Sequence, residues 1–155
     1  MRTSTRAEVL ARVGNEVGLS PWVEMSQDTI NRFADLTDDH NFIHIDPVAA
    51  AATPFGGTIA HGFLVLSMLA SLAKEVDLAL EGLMTGVNYG FDKVRMVAPV
   101  RAGKRIRGRF VLKEFTEKGP GQWLSTLAVT VETEGETRPA IVAEWLSMQW
   151  VKTPV

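Results

Sequence analysis

The segment that decides the fold is Gly62-Phe63-Leu64-Val65-Leu66-Ser67-Met68-Leu69-Ala70-Ser71-Leu72-Ala73. It is apolar except for its two serines, and a run of this length is too short to cross a bilayer. The pattern favours a buried helix, which we predict to extend over Ile59–Leu80 with Gly82 as its C-terminal cap residue. Because this helix is apolar on nearly every side, packing against one flat surface cannot bury it.

The second half of the chain is predicted to form strands joined by short turns. Short connections that contain glycine require neighbouring strands to run antiparallel. A helical bundle is excluded, since only one helix is apolar all round. We therefore predict an α+β hot-dog fold, in which a curved antiparallel sheet wraps one long central helix and a second subunit covers the rest. The strand candidates are Val87–Val97, Lys104–Glu117, Gln122–Glu134 and Pro139–Val151.

The first half of the chain is predicted to be less regular. Neither a repeat nor a linker interrupts the sequence, and 155 residues is the size of one domain, so we predict a single domain over 1–155. Ser26 is a good N-cap for the clearest helix of this half. The predicted elements are a helix over 3–14, a strand over 22–25, a helix from Ser26 to about Leu36, and a loop-rich region over 37–57 with a helical turn at 47–51.

The composition is that of an ordinary globular protein, with 46% hydrophobic and 22% charged residues. The absence of cysteine excludes disulfides and thiolate chemistry. The first residues lack the apolar run of a secretory signal, so we expect a cytoplasmic protein with no membrane partner. A net charge of −2 argues against nucleic acid as a partner.

Half of the lysines and arginines lie between Lys93 and Lys113, where no acidic residue occurs. Three of them alternate with other residues, as on the solvated face of a strand. The other interpretation is a surface for a polyanion, on which one or two of these side chains contact a phosphate. The residues we consider for that contact are Lys93, Arg95, Lys104 and Arg105.

All three histidines, His40, His44 and His61, fall within one short stretch of the chain. Asp39 and His44 lie five positions apart in a segment without regular periodicity. A histidine and a carboxylate held close together suit acid–base chemistry near neutral pH. This stretch is therefore the predicted active site.

Three blocks of sequence resemble the MaoC-like dehydratases, also known as hydratase 2 enzymes. Residues 33–47, with Asp39, Asn41 and His44, are similar to the family signature. Residues 53–63 resemble its second element, in which a His-Gly pair, here His61-Gly62, opens the central helix. Residues 87–100 are similar to the branch related to nodulation protein N. The resemblance covers about residues 20 to 151.

The resemblance implies (R)-specific hydration of a trans-2-enoyl-CoA to an (R)-3-hydroxyacyl-CoA, without a cofactor. It further implies that Asp39 and His44 are the catalytic pair and that the Gly62 N–H binds the thioester oxygen. Family members are dimers or pseudo-dimers, so a homodimer is expected. Ala70 stands where some bacterial members carry a serine that reaches the site.

Other candidate residues have two interpretations each. Asn41 suits either substrate contact or stabilisation of a turn. His61 suits a hydrogen-bonded position at the helix start or a second acid–base group, and it is also a candidate for substrate contact. His40 is expected to face solvent. Asn88 and Tyr89 either line the pocket or pack in the sheet. Asp39, His44 and His61 lack compact metal-binding spacing, so no metal is expected.

Two rival functions remain from the sequence. A hot-dog acyl-thioesterase needs a carboxylate on the central helix, and residues 62–73 contain none. A non-catalytic subunit that binds acyl thioesters or assists a partner would have no need of both Asp39 and His44.

Overall fold

The computed structural model describes residues 3–152, and its main feature is a six-stranded sheet in which every strand pair is antiparallel. Residues 1–2 and 153–155, the ends of the predicted domain, lie outside the described residues. The strands are β1 (Glu16–Leu19), β2 (Val23–Glu24), β3 (Leu83–Met96), β4 (Arg105–Gly119), β5 (Gln122–Thr133) and β6 (Ile141–Val151).

The order of strands across the sheet is β1-β4-β5-β6-β3, and β2 also pairs with β4. The four strands predicted in the second half are present, with ends that differ by a few residues. The sequence interpretation did not include β1, whose short run contains Gly18. A side chain at Gly18 would collide with Val76, so the backbone of β1 lies close to the chain that leaves the central helix.

In the part of the chain that the structure describes, six short α-helices accompany the sheet. Ser26 caps the second of them as predicted, because its hydroxyl accepts a hydrogen bond from the Thr29 N–H at 3.2 Å. The predicted helical turn over 47–51 is present, whereas the predicted N-terminal helix is only five residues long. The helices are α1 (Arg6–Leu10), α2 (Gln27–Thr37), α3 (Phe42–Ile45), α4 (Pro47–Ala51), α5 (Gly62–Ser67) and α6 (Leu69–Leu72).

The central helix is shorter than predicted. It begins at Gly62, is interrupted at Met68 between α5 and α6, and ends in a 3₁₀ turn over Ala73–Glu75. Residues before Gly62 are extended, since the Ala60 N–H donates to the Val100 carbonyl at 2.8 Å. Gly82 is therefore not a helix cap; it adopts φ 72° in the turn that precedes β3.

Competing hydrogen bonds explain why the helix ends early. The Leu80 N–H donates to Oε1 of Gln149, and Nε2 of the same side chain donates to the Leu78 carbonyl, at 3.1 and 2.8 Å. The Ser4 N–H donates to the Ala79 carbonyl at 2.8 Å. These backbone groups are satisfied outside a helix, which the apolar pattern of the segment did not reveal.

One side of the central helix packs on the sheet and the other is open. Leu64, Val65, Leu69 and Leu72 are buried in one cluster with residues of β4, β5 and β6. Phe63, by contrast, is 70% exposed. The α+β hot-dog arrangement is thus confirmed, with a curved sheet that covers one face of the helix. Within residues 3–152, no helix is long and apolar enough to span a membrane.

Candidate active site

The turn after α2 fixes the position of Asp39. Asp38 ends the helix in the left-handed conformation with φ 56°, and the Asp39 N–H donates to the Ala34 carbonyl at 3.2 Å. These bonds hold the backbone of Asp39, while its side chain is exposed. A carboxylate in contact with water is thereby attached to a fixed segment.

His44 is held by α3 and by the chain that leads to α5. Oδ1 of Asn41 accepts a hydrogen bond from the Ile43 N–H at 3.3 Å, so Asn41 has the turn-stabilising role. The His44 side chain is only 8% exposed, and its Nδ1 lies 2.7 Å from the Ile59 carbonyl oxygen. Because a carbonyl only accepts, Nδ1 carries the hydrogen, and Nε2 of the neutral ring offers a lone pair.

His61 lies directly beside this group. Its ring stacks on that of His44, with ring centroids 3.8 Å apart. The Phe33 ring also packs against the His61 ring, with centroids 5.1 Å apart and tilted planes. Nε2 of His61 donates to the backbone carbonyl of Asp39 at 3.0 Å. Among the residues that the structure describes, Nδ1 of His61 is buried without a hydrogen-bond partner.

The structure brings together three residues that the sequence singled out. One carboxylate oxygen of Asp39 and one ring nitrogen each of His44 and His61 lie within 4.8 Å of one another. A gap of this size between a carboxylate and an imidazole can be bridged by one water molecule. The arrangement is suited to removing a proton from that water.

The same three residues have donor types that metals accept, but their geometry is poor for one ion. A metal ion lies close to the plane of each imidazole that binds it, and the stacked ring planes of His44 and His61, inclined by only 26°, do not meet near the ring nitrogens. Ligands of a tetrahedral or octahedral ion must instead converge on it from widely separated directions.

An apolar cavity of about 250 Å³ adjoins His44 and Gly62. Its walls come from the segment before α5, from the end of β3 and from the start of β6. Gly62 is the first residue of α5, where the N–H has no partner within the helix. A Cβ at Gly62 would lie 2.2 Å from Sδ of Met96, so the Met96 side chain can pack against this backbone only because the residue is glycine.

The remaining residues considered in the sequence do not line the cavity beside His44. Asn88 and Tyr89 are exposed on β3 and do not line this cavity within the protomer. His40 is exposed as expected, and a hydrogen bond to Asp35 raises its pKa. Ala70 is exposed on α6.

Sequence reasoning missed the side chain of Gln27. Its Nε2 donates to the His44 carbonyl at 2.7 Å, and its Oε1 accepts from the Thr58 hydroxyl at 2.5 Å. Gln27 thus joins α2, α3 and the segment before α5. A glutamine in the first turn of a helix gives no signal of such a contact in one sequence. The contact of Met96 with Gly62 was missed as well, since one sequence does not show that the end of β3 packs against the start of α5.

Most basic side chains between Lys93 and Lys113 form ion pairs with glutamates that follow later in the chain. Glu132 accepts hydrogen bonds from Arg107 and Arg109, and Glu144 pairs with Lys93 and Lys113. Glu134 pairs with Arg105, and Glu136 with Lys104 at 3.5 Å. For the six basic residues of these pairs, the structure supports the interpretation of a solvated strand face rather than that of a surface for a polyanion. Arg95 and Arg101 pair with no carboxylate among residues 3–152.

A family model for the MaoC-like domain matches residues 8–137 of the chain. The protein belongs to the MaoC-like dehydratase family. The matched segment contains Asp39, His44, His61 and Gly62, so the site lies within the part that defines the family.

Similar proteins support this membership over nearly the whole chain. Nodulation protein N of Rhizobium leguminosarum bv. viciae is 46% identical over 149 residues, which cover 96% of this chain and 92% of that protein. The 3-hydroxyacyl-thioester dehydratase Z of Mycobacterium tuberculosis is 45% identical over 145 residues, 93% and 95% of the two chains. This MaoC-like protein is thus an enzyme of the hydratase or dehydratase class.

Solved structures agree with the fold. An (R)-hydratase from A. caviae involved in PHA biosynthesis aligns with a TM-score of 0.72 and 24% identity. The alignment covers 92% of this chain and 96% of that one. At this identity the likeness establishes the architecture of the MaoC-like protein and nothing finer.

Proposed function

We propose that this protein hydrates trans-2-enoyl-CoA to (R)-3-hydroxyacyl-CoA and catalyses the reverse dehydration. The observation that carries the proposal is the close approach of Asp39 and His44 beside the cavity that Gly62 lines. A hydratase needs a group that activates water, a group that protonates C2 and a donor for the thioester oxygen. These three residues supply one group for each need.

In the proposed mechanism, the pair holds one water molecule between the Asp39 carboxylate and Nε2 of His44. One of the two removes a proton as the water oxygen bonds to C3, and the C2–C3 π electrons move towards the thioester carbonyl. The Gly62 N–H stabilises the negative charge that develops on that oxygen. A proton then returns from the pair to C2 on the same face, which restores both groups.

The apolar cavity suits the acyl chain. Its walls are largely hydrocarbon, and His44 and Gly62 stand at one side of it. An enoyl chain in the cavity would have its conjugated carbons near the two groups that react with them. A volume of about 250 Å³ favours short acyl chains in the isolated protomer.

The test is a hydration assay on trans-2-enoyl-CoA esters of increasing chain length, with chiral analysis of the product. We expect loss of the conjugated enoyl absorbance and an (R)-3-hydroxyacyl product. Release of free CoA without hydration would instead indicate a thioesterase. No reaction with any ester, by the folded protein alone, would contradict the proposal in favour of an accessory subunit.

We also propose that the active protein is a homodimer. β3 forms one edge of the sheet and is exposed along most of its length, with Met84 and Tyr89 at 65% and 62% exposure. Phe63 on the open side of α5 is exposed as well. An unpaired edge and exposed apolar side chains both favour association with a second copy. Light scattering should give twice the chain mass of 17.0 kDa, and a monomer at micromolar concentration would contradict this proposal.

A further inference from the structure

A second cavity adjoins the first. It has a volume of about 440 Å³ and shares Phe55, Ala98 and Pro99 with the apolar cavity beside His44. The two cavities are therefore direct neighbours that share part of their lining. Their linings differ in character, because the second contains the charged groups that the first lacks.

The charged residues of the second cavity give it a positive balance. Among the described residues, Arg101, Lys104 and Arg138 line it together with one carboxylate, that of Glu136. Glu136 pairs with Lys104 at 3.5 Å. Arg138 donates to the Val97 carbonyl at 3.1 Å, and neither arginine has a carboxylate partner in the described part of the chain. Two guanidinium groups are thus available to an anion.

The backbone connects this cavity to the proposed reaction centre. Arg101 pairs with Ile59 across an isolated antiparallel bridge, and the Ile59 carbonyl accepts the hydrogen bond from His44. Ile59 precedes Gly62 by three residues, which span at most about 10 Å of extended chain. Arg101 is therefore one short segment away from the N–H proposed to bind the thioester.

We propose that the cavity of Arg101 and Arg138 binds the phosphate of the phosphopantetheine arm that carries the acyl thioester. This inference rests on the proposed function and identifies the part of the carrier that the protein recognises. Guanidinium groups bind phosphate oxygens through paired, charge-assisted hydrogen bonds. Glu136 limits this binding, because its carboxylate reduces the positive charge of the cavity.

Phosphopantetheine occurs both in CoA and on acyl carrier proteins, so the experiment uses a series of crotonyl esters. The series consists of the CoA, 4′-phosphopantetheine, pantetheine and carrier-protein esters. Arg101→Ala and Arg138→Ala are compared with Arg32→Ala. Arg32 is a matched control, since it is an exposed arginine of α2 and lines neither cavity.

We expect Arg101→Ala to raise KM for the CoA and 4′-phosphopantetheine esters about tenfold at constant kcat, as loss of a charged hydrogen bond does. KM for the pantetheine ester and all values for Arg32→Ala should stay unchanged. An increase confined to the CoA ester would overturn the inference, because it would place the contact at the nucleotide end of CoA. An increase with all phosphorylated esters would place it at the phosphate that both carriers share.

Glu136→Gln gives the opposite change and cannot be explained by misfolding. Removal of the competing carboxylate should lower KM for the phosphorylated esters about two- to threefold. Calorimetry with free CoA should show the same order of affinity, Glu136→Gln above wild type above Arg101→Ala. Equal affinity of all variants for CoA would overturn the inference. Hydration of the pantetheine ester by wild type would still uphold the proposed function in that event.

Discussion

The imidazole rings of His44 and His61 are stacked, with centroids 3.8 Å apart and planes inclined by 26°. His44 belongs to α3 and His61 immediately precedes α5, and each ring is fixed by one hydrogen bond to a backbone carbonyl. The carbonyl that binds His61 is that of Asp39. His61 therefore holds both members of the proposed catalytic pair, one through its ring face and one through the backbone.

His61 should act as a positioning residue. His61→Ala removes both contacts and should lower kcat about 10²-fold, the size expected when a reacting group is displaced by about 1 Å. His61→Gln retains a donor near the Asp39 carbonyl but not the stacked ring, so its kcat should be intermediate. Steady-state kinetics with crotonyl-CoA measures both, and circular dichroism checks the fold. Wild-type kcat in His61→Ala would show that the stack is dispensable.

Gly62→Ala should abolish most of the activity while the protein remains folded. Alanine is ordinarily favourable in a helix, but its Cβ would lie 2.2 Å from Sδ of Met96. The flexible Met96 side chain must then move within the cavity that we assign to the acyl chain. Crotonyl-CoA kinetics should show the loss in kcat/KM.

The double variant Gly62→Ala, Met96→Ala separates two causes of that loss. It relieves the collision, so thermal stability should recover relative to Gly62→Ala. If the thioester must approach the Gly62 backbone, activity should stay low, because the Cβ still occupies that side. Full recovery of activity would instead mean that only the displaced Met96 interferes.

The sequence allowed the fold to be predicted because its main signals are local and periodic. The strands of the second half and the Ser26 cap follow from alternation and capping, and both are present. The length of the central helix depended on Gln149, a residue distant in sequence whose amide group binds the chain over 78–80. No periodicity within the helix encodes that contact.

The candidate site shows the same division. Asp39, His44 and His61 were recognised from residue type and spacing, and the structure brings them within 4.8 Å. The contacts of Gln27 with His44 and Thr58 could not be predicted, since they depend on how three segments pack. The pairing of the basic stretch with Glu132 and Glu144 was equally hidden, because those carboxylates belong to other strands.

Glu132 should make stability depend on pH in the acid range. Burial by itself raises the pKa of Glu132, but hydrogen bonds from Arg109 and Arg107 outweigh it and hold the pKa below its ordinary value of 4.5. A carboxyl group with a lowered pKa stabilises the fold above that ordinary value, and the contribution is lost as pH falls through the lowered pKa. Glu132→Gln should thus cost about 1 kcal/mol at pH 7.

Urea unfolding of both proteins between pH 7 and about pH 3 measures this difference. The gap in unfolding free energy should narrow as the acid limit is approached, because wild-type Glu132 is then protonated too. Glu114→Gln removes the same charge from an exposed position of β4 and serves as the control. A gap that stayed constant with pH would show that packing, not charge, causes the effect.

The proposed catalytic pair can be tested with substitutions that preserve its hydrogen bonds. Asp39→Asn keeps every backbone contact of an exposed residue. His44→Asn places an amide N–H near the position of Nδ1, so donation to the Ile59 carbonyl is retained while the lone pair of Nε2 is lost. Each variant should lower kcat about 10²–10⁴-fold with crotonyl-CoA, the usual size of an acid–base contribution.

His44→Gln distinguishes the chemical role of His44 from its structural one. The longer amide reaches the position of Nε2 and cannot donate to the Ile59 carbonyl, so a buried acceptor loses its partner at a cost of about 1–3 kcal/mol. We expect His44→Gln to be less stable than His44→Asn and equally inactive, because both lack the base. Thermal unfolding and kinetics of the two variants give these quantities independently. If activity followed stability, with His44→Asn close to wild type, His44 would hold the segment in place without taking part in proton transfer, and Asp39 alone would have to activate the water.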